Sequence, residues 1–378
     1  MTKLRELHAL VLRAPIETPV QTSFGVMRDR PMVVVRLEDT DGVAGWGEVW
    51  CNFPSVGAEH RAHLLESVFA GLLKDADVEE PTTVFEMLTA RTRVLAIQSG
   101  EAGPIAQCIS GLDVALWDMH ARRQSKPLYQ VLGGNEPAIR VYASGLNPDH
   151  PERLARQMLD AGYRAFKLKV AFGLERDRAN LRAIRDAVGP SCALMADANQ
   201  GWNLQQASEA VASLSSLGLE WLEEPLRADA GREEWETLAQ RSAIPLALGE
   251  NLTSRAAFDD AIVGKSAAVI QPDISKWGGL SACMPIARAI RRGGKRFCPH
   301  FLGGAIGLAA SAHFLAAIGG DGRLEIDANP NPLRTIFPGP LDTIADGIAT
   351  LDDRPGLSLE PDVSALAHYR TLEFRVAL

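Results

Sequence analysis

Seven ionisable side chains recur along this chain at nearly constant spacing. Lys169, Asp197, Glu223, Glu250, Asp273, His300 and Glu325 are separated by 28, 26, 27, 23, 27 and 25 residues. Each stands at or near the end of a short apolar run. The runs are Ala165–Val170, Ala193–Ala198, Leu219–Glu224, Leu246–Glu250, Ala268–Asp273, Arg296–His300 and Arg323–Ile326, with Val141–Ser144 ahead of them. Amphipathic helical text fits between, as in Leu204–Leu217 and Leu280–Arg292. Eight strands alternating with helices over roughly 190 residues predict a parallel α/β barrel of the TIM type. All strands of such a barrel run the same way, so their ends form one rim and the ionisable residues meet there. An open doubly wound sheet is the alternative, but no GxGxxG opens a helix after any of these strands.

The first third reads differently. Met32–Leu37 is a β-branched run, Asp41-Gly42 supplies a turn, and Val43–Val49 returns, which predicts a hairpin. Helical periodicity follows in His60, Leu64, Leu65, Val68 and Leu72. A second helix is expected after Pro81, and a third from about Pro104 to Arg123. At 378 residues the chain exceeds one ordinary core, so a second domain beside the barrel is expected. A net charge of −8 disfavours nucleic acid and anionic lipid and points to a small-molecule partner. The cluster Arg288, Arg291, Arg292, Lys295 and Arg296 is expected to be the solvated end of a helix. Five cysteines at scattered positions, none at CxxC spacing, suit buried thiols in a reducing compartment. Met1–Leu12 lacks a signal-peptide core, and Gly303–Gly320 is too short to span a membrane comfortably and reads as a buried barrel helix. A cytoplasmic location and no membrane partner are expected.

The residue types at the rim divide by chemistry. Asp197, Glu223 and Glu250 offer hard carboxylate oxygens from three adjacent strands, a set suited to Mg²⁺. Glu224, one residue on, should turn away and support them. Lys167 and Lys169 are two apart on one strand and so share a face, expected to be the barrel mouth. Two neighbouring ammonium groups are expected to depress one another's pKa, which would suit a lysine base. Asp273 can fix the tautomer of His300 and raise its basicity. Glu325 is expected to act as a protonated donor to a developing enolate oxygen. Surface charges at loop starts are the plainer reading for any one of these residues, but not for seven consecutive strands.

With these residues in view, the chain resembles the mandelate racemase branch of the enolase superfamily (the mandelate racemase/muconate lactonizing enzyme family) over nearly its whole length. The likeness takes in Gly45-Trp46-Gly47-Glu48, the text Gly111–Asp118, Pro127–Gly134 and the barrel set. It implies a modified (β/α)7β barrel at 139–330, an α+β capping domain at 1–128, and a segment at 340–378 returning to the cap. It also implies Mg²⁺ held by Asp197, Glu223 and Glu250. Lys169, with Lys167 beside it, would then be the base on one face of the substrate, and the Asp273–His300 pair would serve the other. Members of this superfamily use Lys or His bases with one or two Mg²⁺ ions, so that part of the assignment is what the resemblance implies. Lys276, ahead of Gly278-Gly279, matches the muconate-cycloisomerase position for a second base and is read here as supporting.

These residues imply removal of the proton next to a carboxylate through an enolate. The rim cannot separate the possible outcomes, and the resemblance tilts the reading toward dehydration of a sugar acid to a 2-keto-3-deoxy acid. Racemisation or epimerisation of a 2-hydroxy acid is the alternative, and a non-catalytic ligand-binding relative the third. Asn199, with Phe24, Trp50, Asn52 and Phe53 from the cap, is a candidate substrate contact. Asn329, Asn331 and Arg334 are further polar candidates, with loop capping as their plainer use. A homo-oligomer is expected.

Overall fold

The computed structural model describes residues 2–21 and 25–378. The chain opens with three antiparallel strands, β1 (Leu4–Gln21), β2 (Val26–Asp39) and β3 (Ala44–Val49). The turn at Asp41-Gly42 joins the last two, as the hairpin reading expects. Three helical segments follow. The first begins at Gly57–Leu64 and continues through a π turn at Leu65–Phe69 into Ala70–Leu73. The second, Pro81–Ser99, starts on its proline and ends on Gly100 in the left-handed region. The third, Ala102–Arg123, buries Ile105, Ile109, Leu112 and Leu116.

The eight barrel strands are β4 (Ala138–Leu146), β5 (Ala165–Lys169), β6 (Ala193–Asp197), β7 (Leu222–Glu223), β8 (Leu246–Leu248), β9 (Val269–Ile270), β10 (Arg296–Phe297) and β11 (Arg323–Asp327). Seven helices fall between them, the last two at Gly279–Arg292 and Ala305–Ile318. The eight pair in parallel in the order β10-β9-β8-β7-β6-β5-β4-β11, with β12 (Ile348–Thr350) added antiparallel to β4. Several expected strands pair over only two residues, while single backbone bonds carry the pairing further toward the mouth, as from Glu224 N–H to Ala247 O at 3.0 Å and from Cys298 N–H to Ile270 O at 3.2 Å. The final strand, β13 (Arg370–Ala377), pairs with β1, so the first sheet runs β13-β1-β2-β3.

This first sheet is covered on both sides, which explains its sequence. Leu10, Leu12, Ala14, Met32 and Val34 join the barrel's core, while Leu7, Ala9, Val11, Val33 and Val35 face the cap helices. Burial on both faces gives continuous apolar text rather than alternation. The β-branched run and the Asp41-Gly42 turn mark the hairpin, whereas β1, with Arg5, Glu6 and Arg13 among its apolar residues, carries neither signal. The Gly45-Trp46-Gly47 text has its own cause: a Cβ at Gly45 would lie 2.1 Å from Ala115 O, and one at Gly47 would lie 2.0 Å from Gly111 O. Only glycine lets β3 lie on the backbone of the third helix.

The helix Ala305–Ile318 is almost wholly buried, and among the described residues no helix is long and apolar enough to cross a membrane. All five cysteines are buried free thiols. The arginine cluster closes the helix Gly279–Arg292 as expected, with Arg288, Arg291 and Arg292 exposed and Lys295 and Arg296 beyond it half-buried. Arg288 donates to Leu132 O at 3.0 Å, Arg291 to Ile318 O at 2.6 Å, and Arg296 pairs with Asp321 at 2.8 Å.

Candidate active site in the barrel mouth

The barrel is plugged by a layer of inward side chains, among them Tyr142, Met195, Trp221, Val269 and Cys298. Tyr142 and Trp221 meet edge to face with centroids 5.6 Å apart. Two residues further along the same strands, alternation turns the next inward set toward the mouth: Lys167, Asp197, Glu223, Gln271 and His300. Glu250 enters by another route. Gly249 has φ 142 and would place a Cβ 2.5 Å from Gln271 N, so glycine there allows the turn that brings Glu250 inward.

On one side stand the lysines. Lys167 is fully buried, and its Nζ lies 2.7 Å from both Glu223 oxygens and 2.8 Å from Glu325 Oε1. Lys169 Nζ donates to Asp197 Oδ2 at 2.6 Å. Burial alone would lower both pKa values. The carboxylates outweigh it, Glu223 and Glu325 for Lys167 and Asp197 for Lys169, so both ammonium groups titrate above the ordinary lysine range. This corrects the expectation of mutual depression: Lys167 does lower Lys169, but less than Asp197 raises it.

On the other side stands the histidine. His300 Nδ1 is 2.7 Å from Asp273 Oδ2, and its Nε2 is 2.7 Å from Glu250 Oε2 and 3.7 Å from Glu325 Oε2. Asp273 Oδ1 is held by Ser275 through its backbone N–H at 2.8 Å and its Oγ at 2.6 Å, which orients the dyad. Burial disfavours the imidazolium, but Glu250, Glu325 and Asp273 together raise His300 well above its usual value. Lys276 Nζ bonds Glu250 Oε1 at 3.0 Å and lies 5.3 Å from the centre of the Trp50 ring.

Glu325 lies between the two sides and is not the neutral acid expected. Burial raises its pKa, but Lys167, His300 and Lys169 outweigh that and bring it down to about 2, so it is a carboxylate accepting from Lys167 and from Ser144 Oγ. Glu223 moves the other way: burial, with Asp197, Glu325 and Glu250 adding to it, pushes it up to about 7 against the pull of Lys167.

Of the remaining candidates, Asn199 sits beside Asp197 with its backbone N–H on Oδ1 at 2.8 Å and φ 41. Trp50 and Phe53 line a cavity of about 260 Å³ together with Gln107, Gln200, Asn251 and Lys276. Asn52 donates to Leu302 O at 2.7 Å. Phe24 lies outside the described residues. Asn329, Asn331 and Arg334 are occupied with loop carbonyls at Gly145, Gly303 and Asp327. A larger cavity of about 400 Å³, lined by Met158, Tyr163, Arg334 and Phe337, contains none of the mouth's ionisable groups.

Two residues escaped the sequence reading. Gln271 Nε2 donates to Glu223 Oε2 at 2.7 Å; it stands two residues before Asp273, where alternation could have found it. Ser144 lies two residues before the end of β4, the one barrel strand that brings no ionisable residue to the mouth, and the strand rhythm marks that position.

The mouth carries an imbalance of charge. Six buried carboxylates (Asp197, Glu223, Glu224, Glu250, Asp273, Glu325) face four basic groups (Lys167, Lys169, Lys276, His300), leaving two negative charges in excess even with His300 protonated. Uncompensated buried charge is costly, and burial together with Glu250 accordingly raises Glu224 well above its usual value. Among the described residues no three acidic, histidine or cysteine side chains are already gathered as a ligand set, because the carboxylates are turned on ammonium and imidazole groups. The oxygen donors and the surplus of carboxyl over basic groups nonetheless fit a hard divalent cation.

Comparison with known proteins agrees with this geometry. Residues 151–365 match the family model described as enolase C-terminal domain-like, and residues 6–133 match the mandelate racemase/muconate lactonizing enzyme N-terminal domain. A mandelate racemase/muconate lactonizing enzyme of Bordetella bronchiseptica is 49% identical, with a TM-score of 0.92 over 97% of this chain and 99% of that one. A Streptomyces coelicolor racemase solved with bound magnesium is 27% identical, with a TM-score of 0.88 over 97% of this chain and 100% of that one. The D-galactarolactone cycloisomerase of Agrobacterium fabrum is 29% identical over 97% of this chain and 99% of its own length. Other relatives are named as sugar-acid dehydratases and as an epimerase, and the chain is an enzyme of the dehydratase or racemase type.

Proposed function

We propose that this chain, which belongs to the mandelate racemase branch of the enolase superfamily, removes the α-proton of a hydroxylated carboxylate and eliminates water to give a 2-keto-3-deoxy acid. One observation carries the reading: Lys169 and the Asp273–His300 dyad approach a single buried cluster of carboxylates from different sides of the mouth. Held by Asp197, Glu223 and Glu250, Mg²⁺ would polarise the substrate carboxylate and offset the negative charge that keeps Lys169 protonated. Lys169, as the free amine, takes the α-proton, and the C–H electron pair passes into the enolate. His300, protonated and steadied by Asp273, gives its proton to the departing β-hydroxyl, which leaves as water. The enol then tautomerises to the keto acid. Lys167 keeps Glu223 and Glu325 in place and adds positive charge beneath the enolate.

The amide groups of Gln107 and Gln200 along the adjoining cavity suit a polyhydroxylated acid, and relatives named as arabinonate and galactonate dehydratases support that class. A second reading has its own observation. Trp50 and Phe53 line the same cavity, which favours a less polar 2-hydroxy acid racemised by return of a proton from the opposite face. The partner in either case is a small carboxylate. A screen of sugar acids and simple 2-hydroxy acids, with keto acid and optical rotation read separately, tests the proposal. Keto acid from a sugar acid supports it; rotation decaying to zero with no keto acid overturns it in favour of racemisation.

A further inference from the structure

We infer that Glu48 and Asn52, two residues of the cap, are positioning residues for His300 and thereby govern proton transfer on one face of the substrate only. The inference rests on the proposed function in its two-base form, in which Lys169 and His300 each act on the α-proton of the epimer presented to their own face. β10 ends at Phe297, but single bonds tie the chain to the neighbouring barrel segment as far as His300, from Cys298 N–H to Ile270 O at 3.2 Å and from His300 N–H to Pro272 O at 3.3 Å; beyond it a loop runs into the helix Ala305–Ile318. That loop is fixed along its backbone. Phe301 N–H donates to Glu325 Oε2 at 3.3 Å, and Asn331 Nδ2 donates to Gly303 O at 2.9 Å.

Further ties, beyond His300, come from the cap. Asn52 Nδ2 donates to Leu302 O at 2.7 Å, while Glu48 accepts from Gly304 N–H at 2.6 Å and from Gly307 N–H at 2.8 Å. The helix has no side-chain cap of its own, so Glu48 supplies the acceptors its first turn lacks. The loop is shaped to admit that carboxylate: a Cβ on Gly303 would come within 2.6 Å of Glu48 Oε1, and one on Gly307 within 3.3 Å of Oε2. Lys169 has no such dependence, since it lies within β5, pairs with Asp197 in the ladder and is held by that same residue's side chain.

The test compares Glu48→Gln and Asn52→Ala with the unaltered enzyme loaded with Mg²⁺, following α-proton exchange in heavy water by NMR. The probes are two α-epimeric pairs, D-galactonate with D-talonate and (R)- with (S)-mandelate. Lys169→Ala and His300→Asn assign each epimer to its base. Both cap variants should slow exchange of the His300-side epimer by about 10- to 100-fold, the scale of a small misplacement of a reacting group, and leave the Lys169-side epimer within about twofold. If Glu48→Gln does not fold, Asn52→Ala, which removes a single hydrogen bond, decides alone. Equal loss on both faces, or no change on either, overturns the inference and leaves the proposed function standing. No exchange by the unaltered enzyme on any probe overturns the proposed function, and this inference with it.

Discussion

Lys169 and His300 face the same carboxylates from supports that have little in common. The lysine and its partners Asp197 and Glu223 belong to consecutive strands, and their positions follow from the ladder and the alternation of side chains along it. The histidine and Asp273 lie beyond the ends of β9 and β10, on loops whose following helices are capped by buried carboxylates from the other domain. Glu48 serves one, and Asp113 serves the other through Leu280 N–H at 2.7 Å and Ser281 N–H at 3.0 Å. One half of the mouth therefore needs only an intact barrel, whereas the other also needs a docked cap. Changes of substrate or reaction can be made on the second half without disturbing the first.

Removal of divalent metal should have the largest effect, because the excess negative charge is shared by both halves. Turnover should fall to background on chelation and return with Mg²⁺; a rate that survives thorough chelation breaks the account of both sides at once. Next come the bases taken singly. Lys169→Ala and His300→Asn should each cost about 10²- to 10⁴-fold in proton transfer. In His300→Asn the loss should be confined to one face of the α-carbon in heavy water, and loss of both exchanges would mean that the halves do not act independently.

A smaller effect should come from undocking. Asp113→Ala strands the N–H groups of Leu280 and Ser281, and about 3 kcal/mol of stability should go with them, seen as a lower urea midpoint at unchanged slope. The smallest prediction concerns pH. Burial pushes Asp113 from 3.8 up to about 7 in the folded protein. The folded state thus holds a proton that the unfolded chain has released, so stability should decline as pH rises from about 4 to about 7 and be flat above. His313, brought down to about 4 by burial, acts with the opposite sign and costs stability as pH falls from 6.5 toward 4. Urea midpoints across this range should therefore lose their downward slope toward neutrality in part when Asp113 becomes Asn; an unchanged slope would place the proton elsewhere.

The barrel and its ring of ionisable side chains were legible because strand spacing and alternation are local properties. Even Gln271 could have been read from its place two residues before Asp273. The charge states were not legible. Glu325 is an anion because Lys167, 158 positions earlier in the chain, stands 2.8 Å away, and no pattern in the sequence encodes that distance. β1 escaped for another reason: Arg5, Glu6 and Arg13 interrupt its apolar residues, so it lacks the β-branched run that marks its neighbour β2. The role of Asn52 was hidden in the same way, since its partner Leu302 O belongs to the other domain.

The pairing of β13 with β1 has a consequence for how the protein is made. The inner strand of the cap sheet waits for a partner that the ribosome delivers only after the whole barrel has been synthesised. Translation at 5–20 residues per second leaves that edge open for roughly 20–70 s. During this interval the apolar β1 is exposed to pairing with neighbouring nascent chains. Shortening the wait, for instance by a circular permutation that places Arg370–Ala377 directly ahead of β1, should raise the soluble yield without altering any residue of the mouth.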